Sequence, residues 1–261
     1  PVRTRIPLNA TLPAVPAERV PEVLAKYEGE IQELKIKVAE KGQSLADDIA
    51  RVAAAREALP NARLKVDANM GYTLAGALEA LRKLCEYGII YAEQPVASIE
   101  DMAALRFAIA KEGLPARIAA DESIRKAEDP LKVARANAAD LMVIKAAPLG
   151  GVRRALALVE QAQLPAVVSS ALESSVGIAT GASLAASLPT LRYGCGLGTV
   201  SLMAEDVTDE PLIARDGFMD LRAITPNPRR LERLATDKQT RQWWVERVTA
   251  CYRVLERACG L

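Results

Sequence analysis

Three acidic side chains close three successive apolar runs, and their repetition defines the chemistry open to this chain. Lys65-Val66-Asp67-Ala68-Asn69 leads to Gly71, Ile90-Tyr91-Ala92-Glu93-Gln94 stops at Pro95, and Ile118-Ala119-Ala120-Asp121-Glu122 stops at Ser123. Each run reads as a strand running into a turn. Strand C-termini converge at one mouth of a parallel barrel, so Asp67, Glu93 and Asp121 are expected around one point. Three carboxylates that close cannot all stay ionised without a cation, and hard oxygen donors favour Mg²⁺ or Mn²⁺. Taken singly, each acid could be a surface group that the positive end of a helix favours. Glu122, beside Asp121, is expected to face the other way and to play only a supporting part.

Three lysines accompany the acids. In Glu33-Leu34-Lys35-Ile36-Lys37-Val38-Ala39 a period of two puts Lys35 and Lys37 on one face. A barrel has no edge on which to expose them, so they must point into it or onto the packed helices. Neighbouring cations lower each other's pKa, which would make a neutral amine available as a base. Lys145 ends Leu141-Met142-Val143-Ile144, where burying a charge is expensive. A lysine on the second strand and one on the sixth would face each other across the mouth, with a metal between them. Ser169 and Ser170 either cap the following helix or face the mouth. Gly196 and Gly198 are either turn glycines or backbone N–H donors that let an anion approach closely.

An absence sharpens the reading, because the 261 residues contain no histidine. Ser-His-Asp and Cys-His catalysis, histidine bases and histidine-containing zinc sites are excluded. Acid–base chemistry falls to Lys, Glu, Asp, Tyr or Cys. With 34 basic and 33 acidic residues, no electrostatic footprint for nucleic acid or an anionic membrane stands out. No apolar run reaches the roughly 18 residues of a membrane span, and no signal peptide is evident. Pro1 in place of an initiating Met leads to the expectation that the true N-terminus is missing. Cys85, Cys195, Cys251 and Cys259 form no CxxC pair and read as reduced thiols of a cytoplasmic protein.

The elements that must position these groups follow in order. Residues 6–12 are expected to open a barrel as its first strand, and 21–26 to begin a helix with proline in its first turn. After the strand at 33–39, residues 44–59 form an amphipathic helix with a Ser44/Asp47 capping box. Helices at 73–87, 98–111, 130–137, 151–163 and 175–188 alternate with strands ending at Asp67, Glu93, Asp121, Lys145 and Ser170. Residues 191–195 supply an eighth strand before Gly196-Leu197-Gly198-Thr199. Functional residues thus recur about every 24 to 30 positions, one βα unit each time. The pattern breaks near Ala204. Residues 1–204 are expected to be a barrel domain, and 205–261 a segment packing on it, with a surface helix at 236–258 that carries Trp243 and Trp244. Those tryptophans are assigned to packing.

Lys35-Ile36-Lys37, Asp67-Ala68-Asn69, Glu93-Gln94-Pro95, Asp121-Glu122-Ser123, Ile144-Lys145 and Ser169-Ser170-Ala171-Leu172-Glu173-Ser174 together resemble the muconate-lactonizing-type subgroup of the enolase superfamily. More narrowly, Leu8-Asn9 through Ala14, Ala147-Pro148-Leu149-Gly150-Gly151, Cys195 through Thr199 and the Trp243-Trp244 tail resemble its actinobacterial o-succinylbenzoate synthase family. The resemblance implies a modified TIM barrel, (β/α)7β. It makes Asp67, Glu93 and Asp121 ligands of Mg²⁺, with Mn²⁺ as a possible substitute, Lys37 the acid–base and Lys145 the second lysine. Lys35, Asn69, Ser169, Ser170, Gly196, Leu197 and Gly198 fall where the family contacts substrate.

The implied partner is a small-molecule carboxylate, 2-succinyl-6-hydroxy-2,4-cyclohexadiene-1-carboxylate, dehydrated to 2-succinylbenzoate in menaquinone biosynthesis. N-succinylamino acid racemase, alone or combined with that activity, is the nearest alternative, and a catalytically silent barrel acting as a scaffold is a third. Family members begin with an α+β capping domain, and most of it is expected to be absent from this chain.

Overall fold

The computed structural model describes residues 3–126 and 128–259. A short strand, β1 (Arg5–Pro7), precedes a seven-stranded sheet whose order follows the sequence: β2 (Ala10–Leu12), β3 (Glu33–Lys37), β4 (Arg63–Asp67), β5 (Ile89–Glu93), β6 (Ile118–Ala120), β7 (Leu141–Ile144) and β8 (Ala166–Val168). Every neighbouring pair in it is parallel. Helices follow each strand: α1 (Val20–Leu24), α2 (Leu45–Ala58), α3 (Leu74–Leu84), α4 (Ile99–Glu112), α5 (Glu122–Arg125) with α6 (Lys132–Arg135), α7 (Val152–Ala162) and α8 (Ser175–Ser187).

Alternation along the strands sorts the residues into two layers. Leu34, Ile36, Leu64 and Val66 face outward into a continuous core with Val52, Leu81 and Leu84 of the helices. A smaller apolar cluster of Tyr91, Leu141, Val143, Val167 and Tyr193 fills part of the barrel interior. Helix starts follow the sequence signals. Ser44 and Asp47 form the reciprocal capping box of α2, and Thr73 and Ser98 accept from the backbone N–H groups of Gly76 and Asp101.

The expected first strand divides in two. β1 pairs antiparallel with β9 (Phe218–Asp220), whereas β2 joins the barrel, and the chain changes partner at Leu8 and Asn9. The expected eighth strand is reduced to isolated bridges from Leu8 to Cys195 and from Ser169 to Gly196. Those bridges still close the sheet. Cys195 N donates to Pro7 O at 2.9 Å, its carbonyl accepts from Asn9 N at 3.0 Å, and Gly196 N donates to Val168 O at 2.9 Å. The helix expected at 130–137 keeps one turn, α6, and ends as Asn137 takes a left-handed φ of 51°.

After the barrel come β9, α9 (Pro228–Arg233) and α10 (Lys238–Cys259), the last matching the expected terminal helix. Trp243 and Trp244 are about half exposed and pack edge to face, 4.8 Å between centroids. Among the described residues, no helix is long and apolar enough to cross a membrane.

Closure depends on a close backbone approach at Gly194. A Cβ there would lie 3.0 Å from the carbonyl carbon and oxygen of Leu8 and 3.1 Å from Asn9 N, all rigid backbone atoms. Gly194→Ala is therefore expected to lower unfolding free energy by about 1 to 3 kcal/mol. Gly198→Ala, which meets nothing within 4 Å, is expected to change it by less than about 0.5 kcal/mol. Thermal unfolding of the two variants provides the comparison.

Candidate active site

Register brings the charged strand ends side by side. Lys37 stands opposite Asp67, and Asp67 opposite Glu93. Asp121 follows β6 directly and is held by its backbone N–H, which donates to Gln94 Oε1 at 3.0 Å. All three carboxylates are at least 98% buried. Lys35 Nζ lies 3.1 Å from Asp67 Oδ2 and 3.3 Å from Glu93 Oε1. Lys37 Nζ donates to Asp67 Oδ2 at 2.6 Å and to Asn69 Oδ1 at 2.5 Å. Lys145 Nζ binds both oxygens of Asp121, at 2.8 and 2.7 Å. The row of acids thus has Lys37 at the Asp67 end and Lys145 at the Asp121 end.

Burial and mutual repulsion set the charge states. Burial, and then the charge of Asp67, push the Glu93 carboxyl up to about 7, against the attraction of Lys35. Burial also works to raise Asp67, but Lys35 and Lys37 outweigh it and hold that carboxyl below its usual range. For Lys35 the expectation of a depressed pKa is overturned. Burial does favour the neutral amine, but Glu93, Asp67 and Asp121 together exceed it and hold the ammonium above its ordinary value. Carboxylates, not the neighbouring lysine, dominate its surroundings.

The donor set suits a hard divalent cation, because three buried carboxylates on adjacent strands supply only oxygen. Burial and mutual repulsion, which push the Glu93 carboxyl up to about 7, are what such a cation offsets. They do not stand as a finished cage. Among the described residues, no three acidic, histidine or cysteine side chains gather closely enough to hold an ion as placed. Lysine ammonium groups occupy the positions between and beside the carboxylates instead.

Ser169 and Ser170 do not cap α8, whose N-cap is Ser174. They gather on the closing turn, where Ser170 Oγ donates to the Gly196 carbonyl at 2.9 Å and Ser169 Oγ to the same oxygen at 3.3 Å. A Cβ at Gly196 would meet Ser169 Oγ at 2.7 Å. Leu197 is fully buried and packs toward Gly181 of α8. Its side chain therefore belongs to the core, and any substrate contact from residues 196–198 falls to backbone. Two open concavities, of about 270 and 660 Å³, lie along α8 and residues 208–229, and none of their lining residues is an expected site residue.

Several supporting groups escape a reading by strand ends alone. Fully buried Gln94 accepts from the N–H groups of Asp121 and Ser123 and donates to Ser123 Oγ, fixing the third acid. Below the site, Glu33 accepts from Lys65 Nζ at 3.1 Å and from Gly194 N at 2.8 Å, while Lys65 Nζ donates to Gly194 O at 2.9 Å. Burial lowers the Lys65 ammonium's pKa against the pull of Glu33. A signal existed for this pair, since Glu33 shares the phase of Lys35 and Lys37, and Lys65 that of Asp67. Fully buried Arg51 donates to the carbonyls of Lys37 and Val15 and to Asp48, clamping the end of β3 from α2. Asp48 in turn accepts from Ala39 N and from the Tyr72 hydroxyl.

Residues 17–226 match the family described as enolase C-terminal domain-like. The chain is 54% identical over 255 residues to the o-succinylbenzoate synthase of Mycolicibacterium smegmatis, covering 97% of this chain and 77% of that protein. It is 50% identical over 259 residues to the o-succinylbenzoate synthase of Mycobacterium leprae, covering 99% and 75%. Among solved structures, it superposes on muconate cycloisomerase from Pseudomonas fluorescens with a TM-score of 0.77 at 28% identity, covering 88% of this chain and 66% of that one. Muconate lactonizing enzyme from Pseudomonas putida gives 0.77 at 26%, covering 90% and 67%. The chain thus spans about three quarters of these relatives and about two thirds of these solved chains. It belongs to the enolase C-terminal domain-like family and, within it, to the o-succinylbenzoate synthase family.

Proposed function

We propose that this chain is a Mg²⁺-dependent o-succinylbenzoate synthase. It dehydrates 2-succinyl-6-hydroxy-2,4-cyclohexadiene-1-carboxylate to 2-succinylbenzoate on the route to menaquinone. The observation that carries this reading is the pair of lysines flanking three buried carboxylates, in a chain at least half identical to proteins of that name. A Lys or His base with Mg²⁺ is already known for enolase-superfamily sites as a class.

Asp67, Glu93 and Asp121 would hold Mg²⁺, with Mn²⁺ as a substitute. Bound there, the ion supplies positive charge that stabilises the electron density gained by the substrate carboxylate when the neighbouring carbon loses its proton. Lys37, as the neutral amine, takes that proton. The released electron pair forms a ring double bond as the ring hydroxyl departs, and Lys37 returns the proton to it as water. One lysine performing both transfers makes the elimination syn, and the product ring is aromatic. Lys145, anchored on Asp121, remains cationic and stabilises the delocalised anion. Lys35 braces Asp67 and Glu93, and Asn69, Ser169, Ser170 and the backbone of residues 196–198 contact substrate. Residues 1–204 act as the barrel and 205–261 as an appended segment, supported by a parallel sheet lying wholly before residue 197. The free thiols of Cys85, Cys195 and Cys251 suit a cytoplasmic enzyme.

A second reading is favoured by one observation, that Lys145 stands at the opposite end of the acidic row from Lys37. Proton transfer by both would invert an α-carbon, as an N-succinylamino acid racemase requires.

Incubation with the cyclohexadiene substrate and Mg²⁺ is expected to produce the ultraviolet change of aromatisation. Lys37→Ala is expected to slow it on the order of a thousandfold, and retained turnover in that variant would remove Lys37 from its role. Solvent deuterium appearing in an N-succinylamino acid, and lost in Lys145→Ala, would establish the racemase. Mg²⁺ must also displace the proton that Glu93 keeps up to about pH 7. Calorimetry is therefore expected to show affinity roughly constant above pH 7 and falling about tenfold per unit below it, with Glu93→Gln abolishing the slope.

A further inference from the structure

The reaction proposed above leaves Glu122 unused, although it is 5% exposed and adjoins Asp121. Its Oε1 accepts from Arg125 Nη2 at 2.7 Å and from Asn69 Nδ2 at 3.3 Å. Its Oε2 is buried with no hydrogen-bond partner among the described residues. A buried carboxylate with one oxygen unsatisfied is costly to keep for packing alone.

Asn69 explains what that carboxylate does. It is exposed, it follows the Asp67 strand end with a left-handed φ of 43°, and its two amide ends meet opposite charges. The NH₂ end faces Glu122, and the carbonyl end faces Lys37 Nζ. Turned end for end, Asn69 would point N–H at an ammonium and a carbonyl at a carboxylate, so both contacts would become repulsive. Glu122 thereby selects which end of the amide Lys37 meets. The neutral amine that acts as the base has two N–H donors and one lone pair, and Lys37 spends both donors on Asp67 and Asn69. The remaining position on nitrogen is then fixed in direction.

We propose that Glu122 is a positioning residue that aims Lys37 through the amide of Asn69. This rests on Lys37 being the base of the proposed reaction. Alignment of a reacting group to within an ångström governs rate more than binding, so the effect belongs in kcat. Arg125, whose Nε lies 3.3 Å from Asp121 Oδ1, offers Glu122 a separate route to the third acid, and the test must tell the two apart.

Four variants of the full chain do so: Glu122→Leu, Glu122→Gln, Asn69→Ala and the Glu122→Leu/Asn69→Ala double. Glu122→Leu is expected to lower kcat on the order of tenfold with little change in KM. Glu122→Gln keeps an oxygen for Asn69 and is expected to restore most of that loss. In the Asn69→Ala background, Glu122→Leu is expected to change kcat by less than about twofold. Equal losses in both backgrounds would overturn the proposal in favour of the Arg125 route. Crystal structures of wild type and Glu122→Leu supply an arm that needs no substrate. Separation of Asn69 Oδ1 from Lys37 Nζ in the variant is expected, and an unchanged contact overturns the proposal. Absence of dehydration by the wild type would instead remove the assigned reaction, leaving the crystallographic comparison to decide the role of Glu122.

Discussion

The repulsion among Asp67, Glu93 and Asp121 is the constraint around which the rest of the structure is arranged. Three nearly dry carboxylates on neighbouring strand ends cannot be tolerated without positive charge close by. Lys35, Lys37 and Lys145 supply it, each within 3.3 Å of an acid. That balance explains why the interior face of β3 carries two lysines and why Lys145 follows an apolar strand end. It also accounts for the unequal behaviour of the acids. Asp67, touched by two ammonium groups, is held below its usual range, while burial, and then the charge of Asp67, push the Glu93 carboxyl up to about 7.

Much of this arrangement was legible in the sequence because the relevant signals are local. Strand ends were visible as apolar runs closing on an acid, and the helix starts at Ser44 and Ser98 as caps three residues ahead of Asp47 and Asp101. The period of two put Lys35 and Lys37 on one face. The carboxylates of Asp67 and Glu93 that they meet show that this face is the barrel mouth rather than the helix side. What could not be read depends on partners far along the chain. Residues 6–12 look like one strand, yet they divide because Arg5–Pro7 finds β9 and Ala10–Leu12 finds β3. Residues 191–195 carry strand-like content, yet the backbone ladder holds only at single bridges. The pKa of Lys35 is not legible in the sequence, where its charged neighbour in phase is Lys37, because the carboxylates that decide it come from β4 and β5.

Support for the site is carried by groups one layer back. Gln94, with a left-handed φ of 37°, turns its amide to hold the backbone of residues 121 and 123. Arg51 reaches from α2 to the carbonyl of Lys37, so a helix on the outer layer sets the height of a strand end in the inner one. Each such group is a buried polar side chain whose bonds run to backbone, the arrangement that best fixes position.

Closing the barrel joins positions far apart in the chain. Glu33 and Lys65 meet Gly194 across 161 and 129 positions, and the bridges at Cys195 and Gly196 tie Leu8 to the end of β8. Without residues 191–196, β2 and β8 would be the two bare edges of a seven-stranded parallel sheet, each a row of unpaired backbone groups on which another chain could add a strand. A stretch too irregular to count as a strand is thus what leaves the barrel without an edge.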